Sequence, residues 1–144
     1  MATASVTRRD RHRPRHRPDC ASLNVRDRRH TECAQFLPTL AGRRLLPGPV
    51  LTEVCWLLER WPKVEAAFLD EAARGTFELT HLSPADLTRM GELVRFYADF
   101  PLGAVDASVL AVAERFGVDR VATLDRRHFS VVKPGHVPAL TLLP

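Results

Sequence analysis

Residues 100–129 read FPLGAVDASVLAVAERFGVDRVATLDRRHF and contain a complete helix–strand unit. The apolar run that begins near Val105 and ends before Gly117 predicts a helix over 105–116, with Asp106 in its first turn. The following run at 121–124 predicts a short buried strand, and Asp125 comes directly after it. Helix entries and strand exits meet at one edge of a parallel sheet, where open α/β folds bind their ligands. We therefore expect two acids at one functional edge.

A third acid, Glu53, lies upstream in PVLTEVCWLLE. It falls one turn inside a predicted helix over 50–61, and its apolar neighbours suggest a mostly buried surface, where a carboxylate is costly unless it is paired or metal-bound. Three acids without a Cys/His metal pattern favour a hard divalent cation, Mg²⁺ or Mn²⁺. Such an ion polarises a phosphoryl group and generates hydroxide. The acids together predict a metal-dependent phosphodiesterase.

Each of these residues also has a simpler explanation. Asp106 can stabilise a helix N-terminus, an effect worth about 0.3–1 kcal/mol, and Asp125 can begin a turn. Arg126 and Arg127 are predicted to contact the phosphate backbone of a substrate, or to lie in a solvated turn. Two small hydroxyl residues beside the acids are weaker substrate-site candidates that can also cap backbone groups, and His128 is interpreted as structural. The two hydroxyl residues are Ser108 and Thr123.

The composition is that of an ordinary globular protein. The chain has 144 residues, 45% hydrophobic and 26% charged, which predicts one domain. Three cysteines without a CxxC pair favour a reducing compartment, so a cytoplasmic location is expected. No apolar run approaches the roughly 18 residues of a membrane span, and no secretory leader pattern is present.

The first 22 residues differ from the rest of the chain. They are rich in Arg, His and Pro and contain almost no large apolar side chain, which predicts disorder. Residues 1–30 hold nine arginines against three aspartates, a balance of +6, whereas the remainder has a balance of −2. This basic segment is either a nucleic-acid-binding arm or a solvated tail. The folded domain is predicted over 23–144.

Strand and helix patterns alternate through that domain. Ser83-Pro84-Ala85-Asp86 is a strong helix start, with a capping serine and a proline at the first helical position. The alternation predicts an α/β fold with a parallel sheet. Besides 50–61, 105–116 and 121–124, we predict helices over 27–40, 63–74 and 83–97 and strands over 44–46, 76–82 and 139–143.

Three motifs, PVLTEVCWLLE, PLGAVDASVLAVAERFG and VATLDRRHF, resemble the PIN-domain family and are most similar to its VapC-type toxins. The resemblance implies a PIN-like parallel sheet flanked by helices and Mg²⁺- or Mn²⁺-dependent endonucleolytic cleavage of RNA. It further implies restraint by a VapB-type antitoxin, and a homodimer. Glu53, Asp106 and Asp125 match three of the family's acidic positions.

The sequence departs from the family at its front. PIN domains open with a central strand that ends in an aspartate, whereas this chain has the basic run there; Asp19 in DCASLN is the nearby candidate for that acid. A one-base frameshift across residues 8–20 would explain the departure. The alternative function is therefore a catalytically impaired PIN-fold protein that only binds an antitoxin or RNA. A nucleotide-binding domain is disfavoured because no Gly-rich phosphate loop is present.

Overall fold

The computed structural model describes residues 2–5, 43–100, 102–123 and 126–143. Within these ranges five strands form one parallel sheet in the order β3-β2-β1-β4-β5, so the predicted parallel α/β fold is confirmed. The strands are β1 (Ala2–Ser5), β2 (Arg44–Pro47), β3 (Glu78–Thr80), β4 (Arg120–Thr123) and β5 (Thr141–Leu143).

The central strand is the first one in the chain. β1 pairs with β4 in the register Ala2↔Arg120 to Ser5↔Thr123, and with β2 on its other side. The strand Ala2–Ser5 thus lies inside the segment 1–22 for which the composition predicts disorder. Composition could not reveal this strand, because β1 is placed by backbone pairing with two neighbours that would otherwise leave their own polar groups unpaired. The rest of the segment, and with it the boundary at residue 23, lies outside the described residues.

Five helices are described, each close to a predicted one except the last. The helix from 84 begins at a capping box in which Ser83 and Asp86 exchange hydrogen bonds, as its sequence predicts. The helix from 104 ends at Gly117, which has a left-handed conformation with φ of 65°. The helices are α1 (Gly48–Leu58), α2 (Pro62–Ala73), α3 (Pro84–Phe96), α4 (Ala104–Phe116) and α5 (Arg126–Val131).

The core is built around α4. All eight residues from 106 to 113 are buried, and the helix packs against α3 and α1 as well as the sheet. Val109 and Leu110 are fully buried beside Leu46 of β2, Val50 of α1 and Val121 of β4. Burial of this kind contributes about 25 cal/mol per Å² of apolar surface. The apolar stretch at 105–116 therefore does fix the centre of the molecule.

Two local features differ from the prediction, and one predicted helix is untested. The strand predicted over 76–82 pairs only at Glu78–Thr80, because pairing follows the short neighbour β2 and not the alternation of side chains. α5 was not predicted, and the helix predicted over 27–40 lies outside the described residues.

None of the described helices combines the length and the apolar character that crossing a bilayer requires.

Candidate active site

Asp106 lies in the first turn of α4 at the edge of the sheet where the strands end. Its residue exposure is 6%, so the carboxylate is buried. The preceding N-cap is Gly103, whose backbone is extended and which has no side chain with which to form a capping box. The N-terminal end of α4 carries partial positive charge that favours the ionised carboxylate. This burial distinguishes Asp106 from a surface capping acid.

His128 of α5 contacts Asp106. Its Nδ1 lies 2.9 Å from Oδ2 of Asp106, and both side chains are mostly buried, with 16% and 8% of their surfaces exposed. The imidazole also packs edge-on against the ring of Phe100, with centroids 5.2 Å apart. One histidine thus connects the segment after β4 with the entry of α4.

A second contact joins the α5 segment to the end of α3. The backbone N–H of Lys133 donates a 3.0 Å hydrogen bond to the hydroxyl of Tyr97, at the end of α3. Together with the Phe100–His128 pair, this bond holds the α5 segment against the connection between α3 and α4. The carboxyl edge near Asp106 is therefore held by side chains from both sides.

Of the other predicted acids, the structure describes only Glu53. Glu53 lies in the middle of α1 and is half-buried. Asp125 and Asp19 lie outside the described residues. In the part of the chain that is described, no three His, Cys, Asp or Glu side chains come close enough together to hold a metal ion. The ligand set of Glu53, Asp106 and Asp125 therefore stays a prediction.

The predicted substrate-site residues have mixed surroundings. Arg126 is exposed and donates a 2.9 Å hydrogen bond to the carbonyl of Leu142 on β5, whereas Arg127 is exposed on the first turn of α5. Ser108 is fully buried and its hydroxyl donates to the carbonyl of Val105 at 2.6 Å. Thr123 is buried at the end of β4. The hydroxyl of Ser108 is therefore bonded within α4, and the substrate contacts of Arg126 and Arg127 stay predictions.

The chemistry of the donor set fits Mg²⁺ or Mn²⁺. These hard cations take carboxylate oxygens and water, and Asp106 offers a buried carboxylate at the sheet edge. Asp125 comes two residues after the end of β4 in the sequence and lies outside the described residues, so its place at this edge stays a prediction.

Sequence reasoning underestimated His128 and did not single out Phe100. A lone histidine three residues after an acid carries no metal-ligand spacing, and the contact with Asp106 spans 22 positions of the chain. The available signal was its position just beyond the strand exit, in a segment that we did not expect to be helical.

Comparison with known proteins agrees with this architecture. The PIN-domain family profile matches residues 21–134. Ribonuclease VapC26 of Mycobacterium tuberculosis is 29% identical over 117 residues, covering 80% of this chain and 87% of that protein.

Two solved structures are similar in fold. One is the sarcin–ricin loop cleaving toxin VapC20 of M. tuberculosis, with a TM-score of 0.61 and 22% identity over 72% of this chain and 82% of that one. The other is a toxin–antitoxin complex from Klebsiella pneumoniae, with a TM-score of 0.60 and 16% identity over 98% of this chain and 100% of that one.

The fold and the site define a parallel α/β protein with a buried carboxylate at the carboxyl edge of its sheet. Within that class, the chain belongs to the PIN-domain family, because the family profile covers most of its length. The family predicted from the three motifs is confirmed.

Proposed function

We propose that this protein is a Mg²⁺- or Mn²⁺-dependent endoribonuclease, the toxin component of a VapBC-like toxin–antitoxin pair. The observation that carries the proposal is the buried carboxylate of Asp106 at the carboxyl edge of the sheet. The proposal is supported by similarity to a protein named a ribonuclease over 80% of the chain.

The proposed ligands are Asp106, Asp125 and Glu53. A bound ion would supply Lewis-acid polarisation of the phosphodiester and a water of lowered pKa. The chain's own contribution is to bind and orient: Asp106 is held in a mostly buried setting beside His128, and the exposed Arg127 is proposed to contact phosphate oxygens of the substrate. Arg126 already donates to a backbone carbonyl, and its proposed contribution is to brace α5 against β5.

The proposed partners are an RNA substrate, a VapB-type antitoxin and a second copy of the chain. Similarity in fold to a chain of a toxin–antitoxin complex supports the antitoxin. Exposed aromatic residues on the α1–α2 side offer apolar surface for such a partner: Trp56 is 51% exposed and Trp61 38%. Copurification with the co-expressed antitoxin tests this assignment.

A catalytically impaired binding protein is the second candidate. The specific observation that favours it is that β1 ends at Ser5 and is followed by Val6 and Thr7, so no acid comes directly after the central strand. Such a protein would bind antitoxin or RNA without cleaving RNA.

Cleavage of a structured RNA by the purified full chain separates the two candidates. The proposal predicts cleavage that requires Mg²⁺ or Mn²⁺, stops with EDTA and falls on the order of 100-fold or more in Asp106→Asn. The matched control is Asp70→Asn, an exposed acid on α2 that should cleave like the wild type. Metal-independent cleavage, or equal cleavage by both variants, would remove the metal mechanism, and absence of cleavage in every form supports the binding protein.

A further inference from the structure

We infer that His128 is a positioning residue that holds the carboxylate of Asp106 in the orientation needed to bind the divalent ion. The inference rests on the proposed function and assigns to His128 a role that neither the motifs nor the comparisons give it. The observation behind it is the 2.9 Å approach of Nδ1 of His128 to Oδ2 of Asp106 between two mostly buried side chains.

His128 is itself held at its ring and at its backbone. Its ring packs edge-on against Phe100, at an interplanar angle of 82°. Its backbone carbonyl accepts a 3.1 Å hydrogen bond from the N–H of Val132, at the end of α5. The backbone bond fixes the helical turn that carries His128, and the contact with Phe100 limits rotation of the imidazole away from Asp106.

A fixed partner matters because a carboxylate that is oriented before the ion arrives loses less conformational freedom on binding. Carboxylates that bind metals are commonly held by a group outside the metal's own ligands, and loss of such a group costs about 10–100-fold in metal affinity. His128 occupies this place at Asp106.

Three substitutions of His128 separate positioning from packing. In His128→Asn the side-chain amide nitrogen lies close to the position of Nδ1 of the imidazole, whereas in His128→Gln it lies closer to the position of Nε2. Phe keeps a ring against Phe100 and has no nitrogen. Only His128→Asn should therefore preserve the contact with Asp106.

The primary measurement is Mn²⁺ binding to the full-length protein, followed by the loss of the free-ion signal in electron paramagnetic resonance. We expect His128→Phe and His128→Gln to bind Mn²⁺ at least about 10-fold more weakly and His128→Asn to stay near the wild type. In RNA cleavage, the Phe and Gln variants should lose kcat with an unchanged KM for RNA, and added Mn²⁺ should restore part of the loss. His136→Gln, at a histidine whose Nε2 faces the carbonyl of Val118 at 2.7 Å, serves as a control and should leave Mn²⁺ binding unchanged.

The outcomes that overturn the inference are distinct from those that overturn the proposed function. Wild-type affinity in all three variants, or equal losses in all three, would show that His128 does not position Asp106 through Nδ1. Failure of the wild type to bind Mn²⁺, or equal binding by Asp106→Asn, would instead remove the proposed metal site.

Discussion

Asp86 and Asp106 occupy the same position, the third residue, of two consecutive helices. Asp86 accepts a 2.7 Å hydrogen bond from the N–H of Ser83 and lies 3.3 Å from the guanidinium of Arg115. Asp106 follows a glycine N-cap and contacts His128. Both acids are buried, yet only the surroundings of Asp86 match a purely structural role.

Replacing the two acids should therefore have opposite effects. Asp86→Ala removes half of a capping box and should lower the free energy of unfolding by about 1–2 kcal/mol, with the cleavage rate per folded molecule unchanged. Asp106→Asn should leave the free energy of unfolding unchanged or higher, because a buried charge is removed, while cleavage falls on the order of 100-fold or more. Urea unfolding and cleavage assays on the same preparations measure both; a large loss of stability in Asp106→Asn would show that this acid is structural.

Gly117 and Gly48 form a second contrast at the residue scale. A Cβ added at either would meet no atom within 4 Å, but Gly117 has φ of 65° whereas Gly48 starts α1 with an ordinary helical backbone. Gly117→Ala should destabilise by about 1–2 kcal/mol, since the left-handed conformation strains an L-residue. Gly48→Ala should change the free energy of unfolding by less than about 0.5 kcal/mol, because the entropy gained by removing a glycine is offset by the clash of a Cβ with the following Pro49. Thermal unfolding of both variants checks the difference, and an equal effect would contradict it.

At the scale of elements, α3 and α4 are joined by an ion pair that also holds the loop before β5. Arg89 donates to both carboxylate oxygens of Glu114, at 2.7 and 3.0 Å, and the N–H of Gly135 donates to the same carboxylate at 2.8 Å. Burial acts to raise the pKa of Glu114, but the hydrogen bonds from Arg89 and Gly135 outweigh it and hold that pKa below its ordinary value. The charged form is thus the one that stabilises the fold.

This ion pair predicts a pH dependence. Because the folded-state pKa of Glu114 is lowered, its stabilisation is present above the ordinary pKa of a glutamate and is lost as the pH falls through the folded value. Glu114→Gln should lower the free energy of unfolding at pH 7 by about 2 kcal/mol, and the gap to the wild type should close in acid.

The control is Glu92→Gln, which removes an exposed partner of Arg89. That substitution should change the free energy of unfolding by less than about 1 kcal/mol. Urea titrations from pH 7 to pH 3 provide the comparison, and a constant gap between Glu114→Gln and wild type would contradict the assignment.

The elements that sequence reasoning predicted share a feature. α3 and α4 have local signals at both ends or along one face, such as the Ser83 cap and Gly117, and these signals work without knowledge of the rest of the chain. β1 and α5 have none: four residues carry no measurable period, and a six-residue helix starting with two arginines looks like a turn. The position of Asp106 at the edge was predictable for the same local reason, whereas its contact with His128 depends on tertiary packing.

At the scale of the whole molecule, β1 decides whether the sheet is continuous. β2 and β4 do not pair with each other; each pairs with β1. Without β1 the sheet would separate into two pairs of strands with unpaired edges, at a cost of several backbone hydrogen bonds.

Removal of the first 22 residues tests this role. The fragment 23–144, the predicted domain, should lose the cooperative urea transition that the full chain shows. Ala4→Pro in the full chain should act in the same direction, since proline removes a donor from a central strand. Unchanged stability of the fragment would restore the prediction of a dispensable tail.

The acid that follows β1 can be found by substitution. Asp10 is the first acid after Ser5, five positions on, and Asp19 stands fourteen positions on; both lie outside the described residues. Five residues reach at most about 18 Å, which keeps Asp10 within range of the strand end. If one of these acids is a fourth metal ligand, only its own variant among Asp10→Asn and Asp19→Asn should bind Mn²⁺ more weakly than the wild type. Wild-type binding in both variants would leave three ligands.

The pairing of β1 with β4 also sets the earliest moment during translation at which β4 can join the sheet. During translation Arg120, the partner of Ala2 in the sheet, is made 118 positions after it. At the usual 5–20 residues per second, roughly 6–24 seconds of translation separate them. Until then the nascent chain contains only β1, β2 and β3 of the sheet, and the edge that carries Asp106 lacks β4 and β5. Any activity that depends on this edge therefore starts once translation has passed β4.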